Sequence, residues 1–267
     1  MRPTSWTEAE LSERFLEHGH VVLPVEDQGA LERIRDRTAV LAAEHLGLAD
    51  VGEVPDFLNA IGAACGPDRL NDLRLAVISG LIQAQWFRVA YYSLAARALS
   101  CLVGNELAMQ RSIGFSIQLP DDDSSLLPVN SDVWSENSPY EVVLWVPLVD
   151  CSGTKSMYFL PPRADLRWRD RVAEFAEQGP DALFAAIEPD LQWINVPFGS
   201  FLLFSHTYMH GNRVNTEGEA RWSFNLRFKS LFSPYADKRL GDYFVPLQIR
   251  PATRIGMGYQ LPGGFGQ

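Results

Sequence analysis

Apolar residues recur at helical spacing through the first hundred positions of the chain. Leu11, Phe15 and Leu16 follow Thr7, whose hydroxyl can cap a helix over residues 8–16, and Gly19 supplies the stop. The short run Val21-Val22-Leu23, closed by Pro24, predicts a strand. Leu31, Ile34, Val40, Leu41 and Leu46 predict a second helix over residues 29–46, ended by Gly47. Residues 67–103 predict two more helices. The stretch 83–102 is apolar nearly all round, which predicts burial.

Near residue 107 the pattern changes to short β-rich runs separated by turn residues. Strands are expected over 109–119, 141–149, 156–160, 200–204, 207–214 and 222–232, with one helix over 168–177. The tail from Pro251 to Gln267 is rich in glycine and holds Pro262, so an arm over the surface is expected. The pattern is that of one domain over 1–267: a helical support (1–105), a β-rich core (106–245) and a C-terminal arm (246–267). Many short strands fit a sandwich or a barrel. A double-sheet jelly roll is preferred, because it most easily brings residues 130 and 210 together. The expected class is mainly β with N-terminal helices.

Composition narrows the function. Seven Trp and fifteen Phe promise an aromatic-rich core. A net charge of −10 argues against general nucleic-acid binding and weakly favours cationic substrates. The first eight residues hold no apolar signal region, and no run of about 18 apolar residues predicts a membrane span. Cys65, Cys101 and Cys151 are odd in number and far apart, with no CxxC pair. Both features suit a reduced, cytoplasmic protein without a zinc site.

Candidate chemistry gathers at Asn130-Ser131-Asp132, His210, Arg221 and Ser223. On extended chain, alternate residues point the same way, so Asn130 and Asp132 can address one point, as can Arg221 and Ser223. A facial metal triad needs two ligands from one segment and a third from elsewhere, which His210 would supply. Arg221, eleven positions after His210, offers a planar fork for a carboxylate, and Ser223 a hydroxyl donor. Those are the demands of 2-oxoglutarate, which chelates iron at one end and needs a cation at the other. Gln118 could reach the co-substrate, and Trp134 could wall the substrate pocket. His206 reads as a packed or supporting residue, and as a fallback ligand if a bulge or turn intervenes, Arg227 as a structural ion pair, Asp121-Asp122-Asp123 as a solvated turn, and Asn212 and Asn215 as turn or strand-end residues, of which Asn212 could orient the co-substrate.

The segments Asn130-Ser131-Asp132-Val133-Trp134, Ser138 through Asp150, and His210-Gly211-Asn212 through Arg221-Trp222-Ser223 to Lys229 resemble the phytanoyl-CoA-hydroxylase-like family of Fe(II)/2-oxoglutarate oxygenases. The likeness is nearest to the branch found in aminoglycoside and surface-carbohydrate biosynthesis clusters, and it covers about residues 107–245. It implies a double-stranded β-helix, a cupin-like jelly roll, with Asp132 and His210 as iron ligands and Arg221 and Ser223 holding 2-oxoglutarate. It also implies O2 as oxidant and a small polar substrate, a sugar-like or other natural-product intermediate, that is hydroxylated or otherwise oxidised at C–H. One position departs from the family: Asn130 stands where the first His ligand of an H-x-D pair belongs, and no H-x-D or H-x-E occurs elsewhere. An amide oxygen is a weaker Fe(II) ligand than imidazole. Iron could be held by Asp132 and His210 with Asn130 or water in the third place. The fold could have kept binding and lost catalysis, as a small-molecule-binding or regulatory protein. Or the Asn could be a deliberate replacement.

Overall fold

The computed structural model describes residues 6–262. Thr7 and Glu10 close a reciprocal capping box that starts α1 (Glu8–His18). Strand β1 (His20–Pro24) follows, then α2 (Gln28–Leu46). Gly19 and Gly47 end the two helices in the left-handed conformation that the sequence suggested. Next come α3 (Val54–Asn59), α4 (Pro67–Gln83), α5 (Phe87–Ser93) and α6 (Ala96–Leu102). Residues 67–103 thus hold three helices where two were expected, because Ala84 and Ala95 leave helical geometry. Short helices present one face, so Phe87, Tyr91 and Leu99 are buried while Val89 is 64% exposed. The expectation of burial all round is corrected accordingly.

The β-rich part holds β2 (Leu107–Gln110), β3 (Gly114–Gln118), β4 (Glu141–Pro147) and β5 (Met157–Phe159). Helices α7 (Pro162–Arg169) and α8 (Pro180–Ile187) come next. They are followed by β6 (Gln192–Ile194), β7 (Ser200–Ser205), β8 (His210–Gly211), β9 (Arg221–Ser230), β10 (Phe244–Gln248) and α9 (Pro251–Gly258). The single strand expected over 109–119 is two. The chain kinks where the Arg88 guanidinium takes the carbonyls of Gln110 (2.7 Å) and Arg111 (2.8 Å). The helix expected over 168–177 is displaced to either side, because Pro162 and Pro180 set two helix starts, and only a 3-10 turn, Val172–Phe175, lies between. Of 207–214 only His210–Gly211 is strand. The Ser131 hydroxyl donates to the carbonyls of His206 and Thr207 and holds the chain before it in a turn. Two strands went unforeseen: β6 is only three residues long, and β10 carries Pro246, tolerated because β10 lies at a sheet edge. The expected arm contains α9, and its residues 263–267 lie outside the described residues.

The strands form two antiparallel sheets, a jelly-roll-like arrangement. The larger runs β1-β7-β4-β9-β2-β10 with β3 also paired to β9, and the smaller runs β6-β5-β8. Strand β9 shows why the fold makes a site. Its residues alternate strictly. Trp222, Phe224, Leu226 and Phe228 are fully buried on one face, where Tyr91 of α5 packs on Phe224 and Phe228 and the Trp222 indole donates to Leu58 O (2.7 Å). Arg221, Ser223, Asn225 and Arg227 point the other way, toward the small sheet. The N-terminal helices therefore cover the back of the large sheet and leave its polar front to a cavity. No helix among the described residues is long and apolar enough to cross a membrane.

Candidate active site

The cavity lies between the two sheets. Val143, Trp145, Phe204 and Met157 give it apolar walls, and Asp132, His210 and the polar stripe of β9 give it its chemistry. Asp132 opens a 3-10 turn after the Asn130 segment, which pairs with β8 through Asn130 N–His210 O (3.0 Å) and His210 N–Asn130 O (2.9 Å). That short antiparallel bridge brings two residues distant in sequence side by side.

The two carboxylate oxygens of Asp132 have different roles. Oδ2 accepts from Arg227, through Nε at 3.0 Å and through Nη2, and from His206 Nδ1 at 3.2 Å. Oδ1 faces His210 Nε2 at 3.7 Å. Burial by itself would raise the Asp132 carboxyl, but the His206 hydrogen bond and the Arg227 charge outweigh it and hold the group well below the usual carboxylate range. The His210 ring is oriented by a contact from Nδ1 to Tyr208 O at 2.9 Å and by an edge-to-face contact with Phe204. A carbonyl only accepts, so Nδ1 carries the proton and Nε2 presents a lone pair. Burial lowers the His210 pKa and keeps the ring neutral, although the Asp132 charge pulls the other way. Two acceptors, a carboxylate oxygen and an imidazole nitrogen, therefore face each other at 3.7 Å. Such a pair calls for a cation between them, with a supporting layer that fixes both ligands.

At the other end of the stripe, Arg221 is 4% exposed and has no carboxylate partner among the described residues. Nη1 donates to Ser156 O (2.9 Å), Nη2 makes a long contact with Ser116 Oγ (3.4 Å), and Nε has no partner. Burial pushes this guanidinium down to about 10, opposed only by the thiol of Cys151. Ser223 Oγ, on the same face of β9, is also buried without a partner. An unpaired buried cation beside an unused hydroxyl is a costly arrangement that an anionic ligand would relieve.

The structure thus gathers Asp132, His210, Arg221 and Ser223 around one cavity. Asn130, expected as a third ligand, is half-buried and does not line the cavity; its amide nitrogen donates to Pro128 O (2.9 Å) and His210 O (3.2 Å). Gln118 is fully buried opposite Arg221 in the β3–β9 ladder; its Nε2 donates to Arg213 O (2.6 Å), and its Oε1 has no partner. Trp134 is 47% exposed and does not line the cavity. Of the Asp121–Asp123 run, Asp122 is buried and caps the backbone and hydroxyl of Ser124. Asn212 accepts from Leu127 N, and Asn215 donates to Glu219 O (2.7 Å).

Sequence reasoning missed Asn225, Glu141 and Gly211. Asn225 was signalled by its strand parity with Arg221 and Ser223. Glu141 is buried behind His206, with burial raising its carboxyl pKa. Gly211 follows His210 and is wedged between Tyr158 and the Leu127 backbone. A Cβ there would stand 2.4 Å from Tyr158 Oη and 2.6 Å from Leu127 O. Gly211→Ala is expected to cost about 1–3 kcal/mol by overpacking and to weaken metal binding by displacing His210. Chemical denaturation together with a metal titration checks both, and an unchanged affinity would show that the neighbours yield without moving the ring.

No protein-family profile and no curated protein matches the chain. Solved structures do match. A nickel complex of ThoJ, described as a non-haem monooxygenase, is 17% identical over 90% of this chain and 84% of that one, with a TM-score of 0.57. HygX from Streptomyces hygroscopicus, solved with nickel and 2-oxoglutarate, is 18% identical over 86% and 90%, with a TM-score of 0.52. It has also been solved with hygromycin B bound. AviO1 from Streptomyces viridochromogenes Tue57 is 17% identical over 86% and 98%, with a TM-score of 0.54. What this chain shares with these structures, at such identities, is their fold.

Proposed function

We propose that the protein is a non-haem Fe(II)/2-oxoglutarate-dependent oxygenase acting on a small polar substrate, its two sheets forming a double-stranded β-helix. The observation that carries this reading is the unpaired, buried Arg221 with Ser223 beside it, in the same cavity as the facing acceptors of Asp132 and His210. Among the described residues no three His, Cys, Asp or Glu side chains gather to hold a metal. The protein's share of the site is thus two side chains, Asp132 and His210, with the Asn130 amide or water in the third place. The donor set fits a divalent cation: one neutral imidazole nitrogen and one carboxylate oxygen, both unprotonated. Bound iron would supply the centre at which 2-oxoglutarate and O2 react to give succinate and CO2, with oxidation of the substrate.

The chain's own residues do the rest. Arg227 and His206 occupy Oδ2 of Asp132, so the carboxylate offers one oxygen to a metal. Tyr208 O fixes the His210 tautomer. Arg221 and Ser223 take the far carboxylate of the co-substrate, and the apolar walls exclude water. The hygromycin B complex of HygX and the net charge of −10 support a polar, amine-bearing substrate.

A second reading, a binding protein on the same fold, is favoured by Asn130, whose amide nitrogen is held by backbone carbonyls so that only its weakly ligating oxygen is left, and by Arg227, a cation close to the metal position. Anaerobic titration of 2-oxoglutarate into the Fe(II)-loaded protein separates the two. A weak lilac absorption band is expected, strengthened in Asn130→His. Absence of the band together with no retained iron would sink the oxygenase reading.

A further inference from the structure

We infer that Asn225 receives the second carboxylate, at the keto-acid end, of a five-carbon diacid held by Arg221; this rests on the co-substrate reading above. Along β9 the cavity-facing side chains run Arg221, Ser223, Asn225, Arg227. The first two hold the unpartnered buried groups that mark one carboxylate position. Two residues of strand advance roughly 6.6 Å. The two carboxyl carbons of an extended five-carbon diacid stand about 5 Å apart, given four C–C bonds of about 1.5 Å. A diacid anchored at Arg221 and Ser223 and lying along the strand therefore ends beside Asn225. It falls short of Arg227, whose guanidinium is already committed to Asp132, Gln110 Oε1 (3.2 Å) and Tyr243 Oη (3.3 Å).

Two observations single out Asn225. Its amide is half-buried in the cavity wall and has no hydrogen-bond partner among the described residues, unlike the amides of Asn130, Asn137, Asn212 and Asn215. Directly opposite it in the β3–β9 ladder is Gly114. A Cβ at Gly114 would lie 1.9 Å from Asn225 Oδ1 and 2.1 Å from Asn225 O. The missing side chain is thus the space that the Asn225 amide occupies. With Oδ1 over Gly114, the Nδ2 donors remain for an anion.

Calorimetric titration of the purified protein, with and without Ni(II), tests this with two ligands. One is 2-oxoglutarate; the other is 4-oxopentanoate, which keeps the ketone and the far carboxylate but has a methyl group in place of the second carboxylate. Asn225→Ala is expected to weaken 2-oxoglutarate on the order of tenfold, the value of one hydrogen bond to a charged group, and to leave 4-oxopentanoate unchanged. Asn225→Asp, of equal size but negatively charged, should weaken 2-oxoglutarate further, and Gly114→Ala should reproduce part of the loss. The Asn225 side-chain amide resonance, assigned by its disappearance in Asn225→Asp, should move with 2-oxoglutarate and not with 4-oxopentanoate. Equal loss for both ligands, no loss for either, or a resonance that stays still with 2-oxoglutarate overturns the role of Asn225. If Arg221→Gln loses both ligands in that case, the co-substrate reading stands. A wild-type protein that binds neither ligand overturns both.

Discussion

Arg221→Met is expected to abolish 2-oxoglutarate binding and, at the same time, to raise the melting temperature of the ligand-free protein. The two effects share one cause. Arg221 is buried at 4% exposure, its Nε is unpartnered, and no carboxylate reaches it among the described residues. In the ligand-free state the charge costs desolvation energy that the hydrogen bonds to Ser156 O and Ser116 Oγ repay only in part, and a hydrophobic side chain of similar length removes that cost, by about 2 kcal/mol. Ser156 O loses one donor, an opposing loss of about 1 kcal/mol or less. A net gain near 1 kcal/mol corresponds to roughly 2–4 °C in a chain of this size class. With a diacid present the sign reverses, because losing one member of a buried charge pair costs about 2–5 kcal/mol, at least a thirtyfold loss of affinity. Scanning calorimetry with and without 2-oxoglutarate reads both effects. A variant that melts several degrees lower and still binds the diacid would make Arg221 a structural residue and leave the proposed function without its main support.

Asp132→Ala should do the opposite to stability. Arg227 is 19% exposed at its side chain and spends Nε and Nη2 on Asp132 Oδ2. Removing the carboxylate strands that guanidinium and leaves His206 Nδ1 without its nearest acceptor, at a cost of about 3 kcal/mol. Metal binding should vanish as well, since one of the two facing acceptors is gone. The double variant Asp132→Ala/Arg227→Met is expected to recover most of the stability and none of the metal affinity. That separates the two roles of Asp132: counter-ion to Arg227 through one oxygen, metal ligand through the other. Urea denaturation of the four members of the cycle, with a metal titration for each, decides it. Additive stability losses in the double variant would show that the ion pair is not what couples these residues.

The secondary structure that could be read in the chain was that with local causes. The capping box at Thr7, the stops at Gly19 and Gly47 and the strand run 21–24 are interactions within a few residues, and they appear where the pattern puts them. Strand β9 was legible because its alternation is strict from Arg221 to Lys229. The kink between β2 and β3 was not, because it is made by Arg88, which belongs to α5. Nor was the turn before β8, which depends on Ser131 reaching across to His206 and Thr207.

The site divides in the same way. Residue types and spacing, together with the family resemblance of the segments around them, marked Asp132, His210, Arg221 and Ser223 as one expected set, because a facial metal position and a distant carboxylate fork constrain which side chains can serve. The same reading placed Arg227 in an ion pair and His206 in a supporting role, without naming their partner. Only the tertiary structure made Asp132 that shared partner, left Arg221 Nε and Ser223 Oγ without partners, turned the Asn130 amide to the backbone, and set Asn225 opposite Gly114. The reason is physical: what a residue type can donate or accept is fixed in the chain, but whether that capacity is spent inside the protein or left for a ligand depends on contacts between segments far apart in sequence.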